Sequence, residues 1–124
     1  MAAPNIQNAS AVYLKSATAD LTTTAETSVL SNAAASGKLL KVDSVIVANT
    51  DTATAYPVTL TYHSAAALAG TSTIVAATVS VPANSSLVIV DRTTAIYLEE
   101  DKSLGATAGT ANKLKVYCAY EDIS

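Results

Sequence analysis

The feature that most constrains this chain is an alternation of apolar and polar residues in short runs, each closed by turn-forming residues, from Val12 to Tyr120. Period-two patterning sends successive side chains to opposite faces of a strand, and almost no helical periodicity competes with it. The alternation is plainest from Tyr56 to His63, where Val58, Leu60 and Tyr62 point one way and Thr59, Thr61 and His63 the other. From Lys38 to Asn49 it puts Leu40, Val42, Ile46 and Ala48 on one face, and Lys41, Asp43, Val45 and Val47 on the other. One end of that strand is therefore expected to be solvated on one side and the other end buried on both. Thr73 to Val81 aligns Val75, Ala77, Val79 and Val81, while Lys113 to Tyr120 directs Leu114, Val116, Cys118 and Tyr120 inward.

Shorter runs at Val12–Lys15, Thr27–Leu30, Leu87–Val90, Ala95–Leu98 and Leu104–Ala108 bring the total to about eight or nine short strands. Asn49–Thr54 and Pro82–Ser85 have turn chemistry, and Pro57 suits a strand start or an edge. The alanine-rich Ser64–Gly70 stretch reads as a helical turn or a loop. Threonine and valine are plentiful, and β-branched side chains fit a pleated, half-buried surface. The expected fold class is all-β: an antiparallel β-sandwich of jelly-roll or immunoglobulin-like kind. Residues 1–10 read as a polar N-terminal arm carrying Pro4, Asn5 and Asn8, and residues 11–124 as a single β-sandwich domain.

Composition narrows the function classes. Half of the 124 residues are hydrophobic and only 14% are charged, a pale exterior for a lone monomer but tolerable for a subunit packed among neighbours. Net charge is −3 and no basic cluster exists, which argues against nucleic acid as a partner. No apolar run approaches the length of a membrane span, and the first residues lack the basic and apolar parts of a leader, so synthesis in the cytoplasm without membrane association is expected. The single cysteine, Cys118, allows no internal disulfide.

Few groups could carry chemistry. His63, the only histidine, falls on the polar face of its strand and reads as solvated; a catalytic relay would need a nucleophile and a carboxylate beside it. Cys118 reads as a small buried hydrophobe. Glu99-Glu100-Asp101 is the densest acidic cluster and reads as a solvated turn; calcium there would need further oxygens, for which Glu121 and Asp122 are the obvious source. Ser36-Gly37-Lys38 and Gly105–Thr110 lack the spacing of phosphate loops and open no helix. Asn8-Ala9-Ser10 and Asn84-Ser85-Ser86 have the form of glycosylation sequons, which matter only in a secreted chain. No metal, cofactor or enzyme activity is expected. Of six tyrosines, Tyr62 and Tyr120 read as core, whereas Tyr13, Tyr56, Tyr97 and Tyr117 suit an outer face or rim, where tyrosine favours protein contacts.

Three stretches together resemble small virion structural proteins of tailed bacteriophages, especially marine and cyanobacterial ones. They are Leu39–Thr50, then Val79–Leu87 with its Pro82-Ala83 turn, and finally Ala95–Glu99 with Leu104–Ala108. The resemblance spans roughly residues 12–123 and is one of pattern and composition. It implies a virion subunit of the capsid decoration (cement) type, binding the major capsid protein and reinforcing the shell, often as a trimer. A tail or fibre-associated subunit is the alternative within that group, and a carbohydrate-binding β-sandwich module the alternative outside it. Such a subunit gains from buried area and from strand edges or arms added to a neighbour's sheet, which makes Pro4 and Ile6 of the arm, with Tyr13, Tyr56, Tyr97 and Tyr117, the candidate protein interface.

Overall fold

The computed structural model describes residues 9–124. Pro4 and Ile6 of the expected arm lie outside the described residues. Nine strands follow one another: β1 (Val12–Leu21), β2 (Thr27–Asn32), β3 (Leu39–Asn49), β4 (Tyr56–Ala65), β5 (Ala69–Val81), β6 (Ser86–Val90), β7 (Ile96–Leu98), β8 (Lys102–Ala108) and β9 (Leu114–Ile123). They form two antiparallel sheets. Sheet A runs β1-β9-β3-β6, with β7 also on β3; sheet B runs β2-β8-β4-β5.

The pairing is nested, β1 with β9, β2 with β8, β3 with β6 and β7, and β4 with β5. Such nesting is what a long hairpin produces when it curls over itself, and it is the strand order of a jelly roll. The immunoglobulin-like alternative is thereby set aside. The two inner faces meet in one core, whose fully enclosed members include Val42, Val45, Val47, Leu60, Leu98, Leu104 and Cys118. Each such aliphatic side chain contributes roughly 1.5–3 kcal/mol by leaving water. Two buried asparagines tie the ends of the sheets together. The Asn32 amide donates to the Lys38 and Leu98 carbonyls, both at 2.9 Å. The Asn49 amide does the same for the Thr54 carbonyl (2.9 Å) and the Val81 carbonyl (3.0 Å).

Two expectations are corrected by bulges, whose extra residue shifts the alternation by one, and a third by a turn. In β3 the pairing with β9 slips between Val42 and Ser44, so Leu40 and Val42 point inward before Asp43, and Val45, Val47 and Asn49 after it. Ile46 and Ala48 consequently move to the outer face. β5 carries three such slips against β4. Val79 and Val81 face inward as expected, but Thr78 sits at φ 42°, and beyond it Ala76 packs on the core while Val75 and Ala77 are exposed. The Ser64–Gly70 stretch is neither helix nor loose loop. It is a tight hairpin turn closed by the Ala69 amide on the Ala66 carbonyl, with Ala67 and Leu68 at φ 57° and 61°.

Candidate interaction surface

The sheets have inner faces alike but outer faces unalike. On sheet B the middle of the outer face is small and polar: the register sets Ser28, Gly105 and Thr61 in one row, which ends on the exposed Ile74 of the edge strand β5, and Ser31, Ser103, His63 and Ser72 in the next. Two elements roof this face. The Glu26 side chain lies over Gly105, where a Cβ would collide with its carboxylate. Leu68 comes in from the hairpin turn, its Cδ2 within 2.8 Å of the same Cβ position. Both central residues of that turn are in the left-handed region, which favours glycine or asparagine and costs about 1 kcal/mol or more per ordinary residue. Three side chains hold it there: the amides of Ala66, Ala67 and Leu68 donate to Asp101 Oδ1 (3.0 Å), Ser31 Oγ (3.0 Å) and Ser103 Oγ (2.9 Å).

His63 lies beneath this roof, which corrects the expectation of a solvated ring. It does occupy the polar face, yet it is only 5% exposed, with Nε2 at 2.7 Å from Glu26 Oε2 and Nδ1 enclosed without a partner. Glu26 was not singled out by sequence reasoning. It stands in the β1–β2 connection, 37 residues from His63, where no local pattern links the two.

The outer face of sheet A is more open among the described residues, although Ile123 at one end of it is buried. Its register aligns five rows across the sheet: Val12–Ile123–Leu39, Leu14–Glu121–Lys41–Tyr97, Ser16–Ala119–Ser44, Thr18–Tyr117–Ile46–Val88, and Asp20–Lys115–Ala48–Ser86. Leu14 is 80% exposed, Val88 55%, Tyr97 54%, Val12 50% and Tyr117 43%. These are five of the eight large hydrophobic side chains that stand exposed among the described residues. The charges between them are paired within the face, with one carboxylate in excess. Lys41 Nζ lies 3.6 Å from Glu121 and 3.8 Å from Asp43, and Lys115 Nζ lies 3.2 Å from Asp20. A row of small residues, Ser16, Ala119 and Ser44, forms a trough between the Tyr97 row and the Tyr117 row.

The structure thus brings together two of the four candidate tyrosines on this face. Tyr13 is exposed but belongs to the inner face of β1, paired with Asp122, beyond the cover of the opposite sheet. Tyr56 corrects the expectation of an outer or rim position. It is half-buried against the core, and its hydroxyl donates to Asp51 Oδ2 at 3.4 Å. Ile46 and Val88 complete the Tyr117 row; the β3 bulge hides Ile46 from sequence reasoning, and the short apolar run Leu87–Val90 does not say which way Val88 points.

The remaining chemical candidates separate. Cys118 is enclosed in the core, and burial, with Asp43 nearby, pushes its thiol up to about 12, so it stays neutral and unreactive at physiological pH. Glu121 and Asp122, the oxygens a calcium site would borrow, are engaged by lysines: Lys41 for Glu121, and Lys15 with Lys38 for Asp122. Among the described residues, no three His, Cys, Asp or Glu side chains group closely enough to hold a metal ion. Compared with known proteins, the chain matches no protein-family model and no curated protein.

Proposed function

We propose that this chain is a structural subunit of a tailed-phage particle, a capsid decoration (cement) protein that lays the outer face of sheet A on the major capsid protein and reinforces the shell. The observation that carries the reading is the contrast between the two outer faces. Loops, hydrogen bonds and a strained turn cover the middle of sheet B's outer face, where Ile74 of the edge strand is left exposed, whereas Leu14, Tyr97, Tyr117 and Val88 stand bare together on sheet A. A soluble monomer rarely leaves so many large apolar groups together on one face. The size also suits a partner. Four strands about 4.8 Å apart and five rows about 6.8 Å apart span on the order of 600 Å² before side-chain relief, near the roughly 800 Å² per side of a standard interface.

The resemblance of Leu39–Thr50, Val79–Leu87 and Ala95–Glu99 with Leu104–Ala108 to small phage virion proteins supplies the partner class, and the jelly roll is a scaffold that capsid and lectin domains share. In this reading the subunit is made in the host cytoplasm, acts on the virion, and assembles with copies of itself, a trimer being favoured.

Titration of the purified chain into empty capsids tests this. Saturable, stoichiometric binding that raises the shell melting temperature is expected, and the Tyr97→Ser/Tyr117→Ser double variant should lose it while remaining folded. Binding to isolated tails but not capsids would move the subunit to the tail. A folded chain that binds neither, or glycan-array binding without particle affinity, overturns the proposal.

A further inference from the structure

A second surface lies at the opposite side of sheet A, where the inner face of β1 overhangs β2. Lys15, Asn32, Ser36, Lys38, Tyr120 and Asp122 line a cleft of about 330 Å³ there, floored by the side chains of Leu30 and Leu40. Its charges are out of balance. Lys15 Nζ and Lys38 Nζ sit 2.8 and 3.2 Å from the same oxygen, Asp122 Oδ2. Elsewhere among the described residues, each ion-paired lysine has at least one carboxylate to itself: Lys41 has Asp43 and Glu121, Lys113 has Asp51, and Lys115 has Asp20. In the cleft, two ammonium groups share one carboxylate.

The arrangement is held from within. Asp122 is 6% exposed in its side chain, whereas both lysines are 44% exposed, so a buried anchor aims two cations at the mouth. An ammonium has three N–H donors, and each lysine has given one to Asp122. The surplus donors therefore point where solvent or a ligand can reach them, above an apolar floor. One further carboxylate would bring the cluster to two positive and two negative charges, and its two oxygens could take a bond from each lysine. A phosphate dianion would carry one negative charge too many.

We propose that this cleft receives the carboxylate of an acidic segment on a protein partner, an aspartate or glutamate side chain whose aliphatic stem lies on Leu30 and Leu40. The inference goes beyond the sheet-face reading and needs no capsid to test.

The probe is the blocked peptide Ala-Glu-Glu-Ala-Glu-Ala, titrated into the isotopically labelled full chain at low salt and followed by amide chemical shifts. Inorganic phosphate and the peptide with glutamine in place of glutamate run alongside. Saturable shifts clustered at Asn32, Ser36 and Tyr120 are expected. Affinity should fall about tenfold in Lys15→Gln and in Lys38→Gln, the loss of one charge-assisted hydrogen bond, and be unchanged in Lys115→Gln. Lys38→Arg, which keeps the charge, should retain binding and guards against loss of the fold. No saturation, equal binding of the glutamine peptide, equal losses in Lys115→Gln, or phosphate binding as tight as the peptide would each overturn the proposal. Capsid association that survives Lys15→Gln/Lys38→Gln while peptide binding is lost separates this cleft from the sheet face.

Discussion

The two outer faces of this sandwich begin from similar material and end differently. Both are written in the polar half of a period-two pattern, with serine, threonine and occasional larger residues. On sheet B the chain folds back over that face, placing Glu26 and Leu68 against Gly105 and burying His63. On sheet A nothing returns among the described residues, and Tyr97, Tyr117, Leu14 and Val88 stand in solvent. Burial on a sheet's outer face is a property of what the connecting loops do. The alternation within the strand says only which side a residue takes.

Substitutions that break the roof should be felt as stability, and those on the bare face as binding. His63→Ala should have the largest effect. It empties an enclosed site and leaves the Glu26 carboxylate without its partner, which costs about 2–4 kcal/mol by chemical denaturation. If the change were neutral, the roof would not be a packed element. Gly105→Ala comes next. The new Cβ meets only the ends of two flexible side chains, so Glu26 and Leu68 move aside and the loss is about 1–2 kcal/mol, chiefly the His63–Glu26 bond. Combined with His63→Ala, the second change should add little, because both break the same contact.

Acid offers a control that touches neither outer face. Hydrogen bonds donated by the backbone amides of Ala53 and Thr54, with Lys113 beside it, hold the Asp51 carboxyl down at about 2, against an ordinary 3.8. Burial works the other way on Asp122, but the bonds from Lys15 and Lys38 outweigh it and keep that carboxyl low as well. A depressed folded-state value means that the unfolded chain takes up protons first as pH falls. The stabilisation is therefore complete above about pH 4 and drains away toward pH 2. The urea midpoint should drop over that window by the same amount in the wild type and in Tyr97→Ser/Tyr117→Ser. The tyrosine pair itself should show the smallest stability effect, within about 0.5 kcal/mol, as for exposed positions generally. A loss of several times that size would mean the face is part of the monomer's own packing, and would sharpen the comparison in the opposite direction.

Much of the fold was legible in the residues. The runs at Tyr56–His63 and Lys113–Tyr120 state their periodicity outright, and β4 and β9 occupy those positions. Strand lengths were read short where alternation is carried by small residues. β1 runs on through Ser16-Ala17-Thr18-Ala19 to Leu21, since alanine and serine give a weak apolar signal even when a strand is well paired. Of the bare face, the outward placing of Tyr97 and Tyr117 could be anticipated, because tyrosine outside the core pattern stands out. Ile46 could not, because a single extra residue at Asp43 exchanges the faces downstream.

By itself, the sequence determined that the chain is built from strands, how many there are, and which residue types must leave water, because apolar alternation and turn chemistry act over a few neighbouring residues. The tertiary structure alone decided the nested strand order, the slips in β3 and β5, the meeting of Glu26 with His63, and the sharing of Asp122 by Lys15 and Lys38. These depend on pairings between segments far apart in the chain, whose geometry is set by the packing of two whole sheets. No local stretch of residues contains that information.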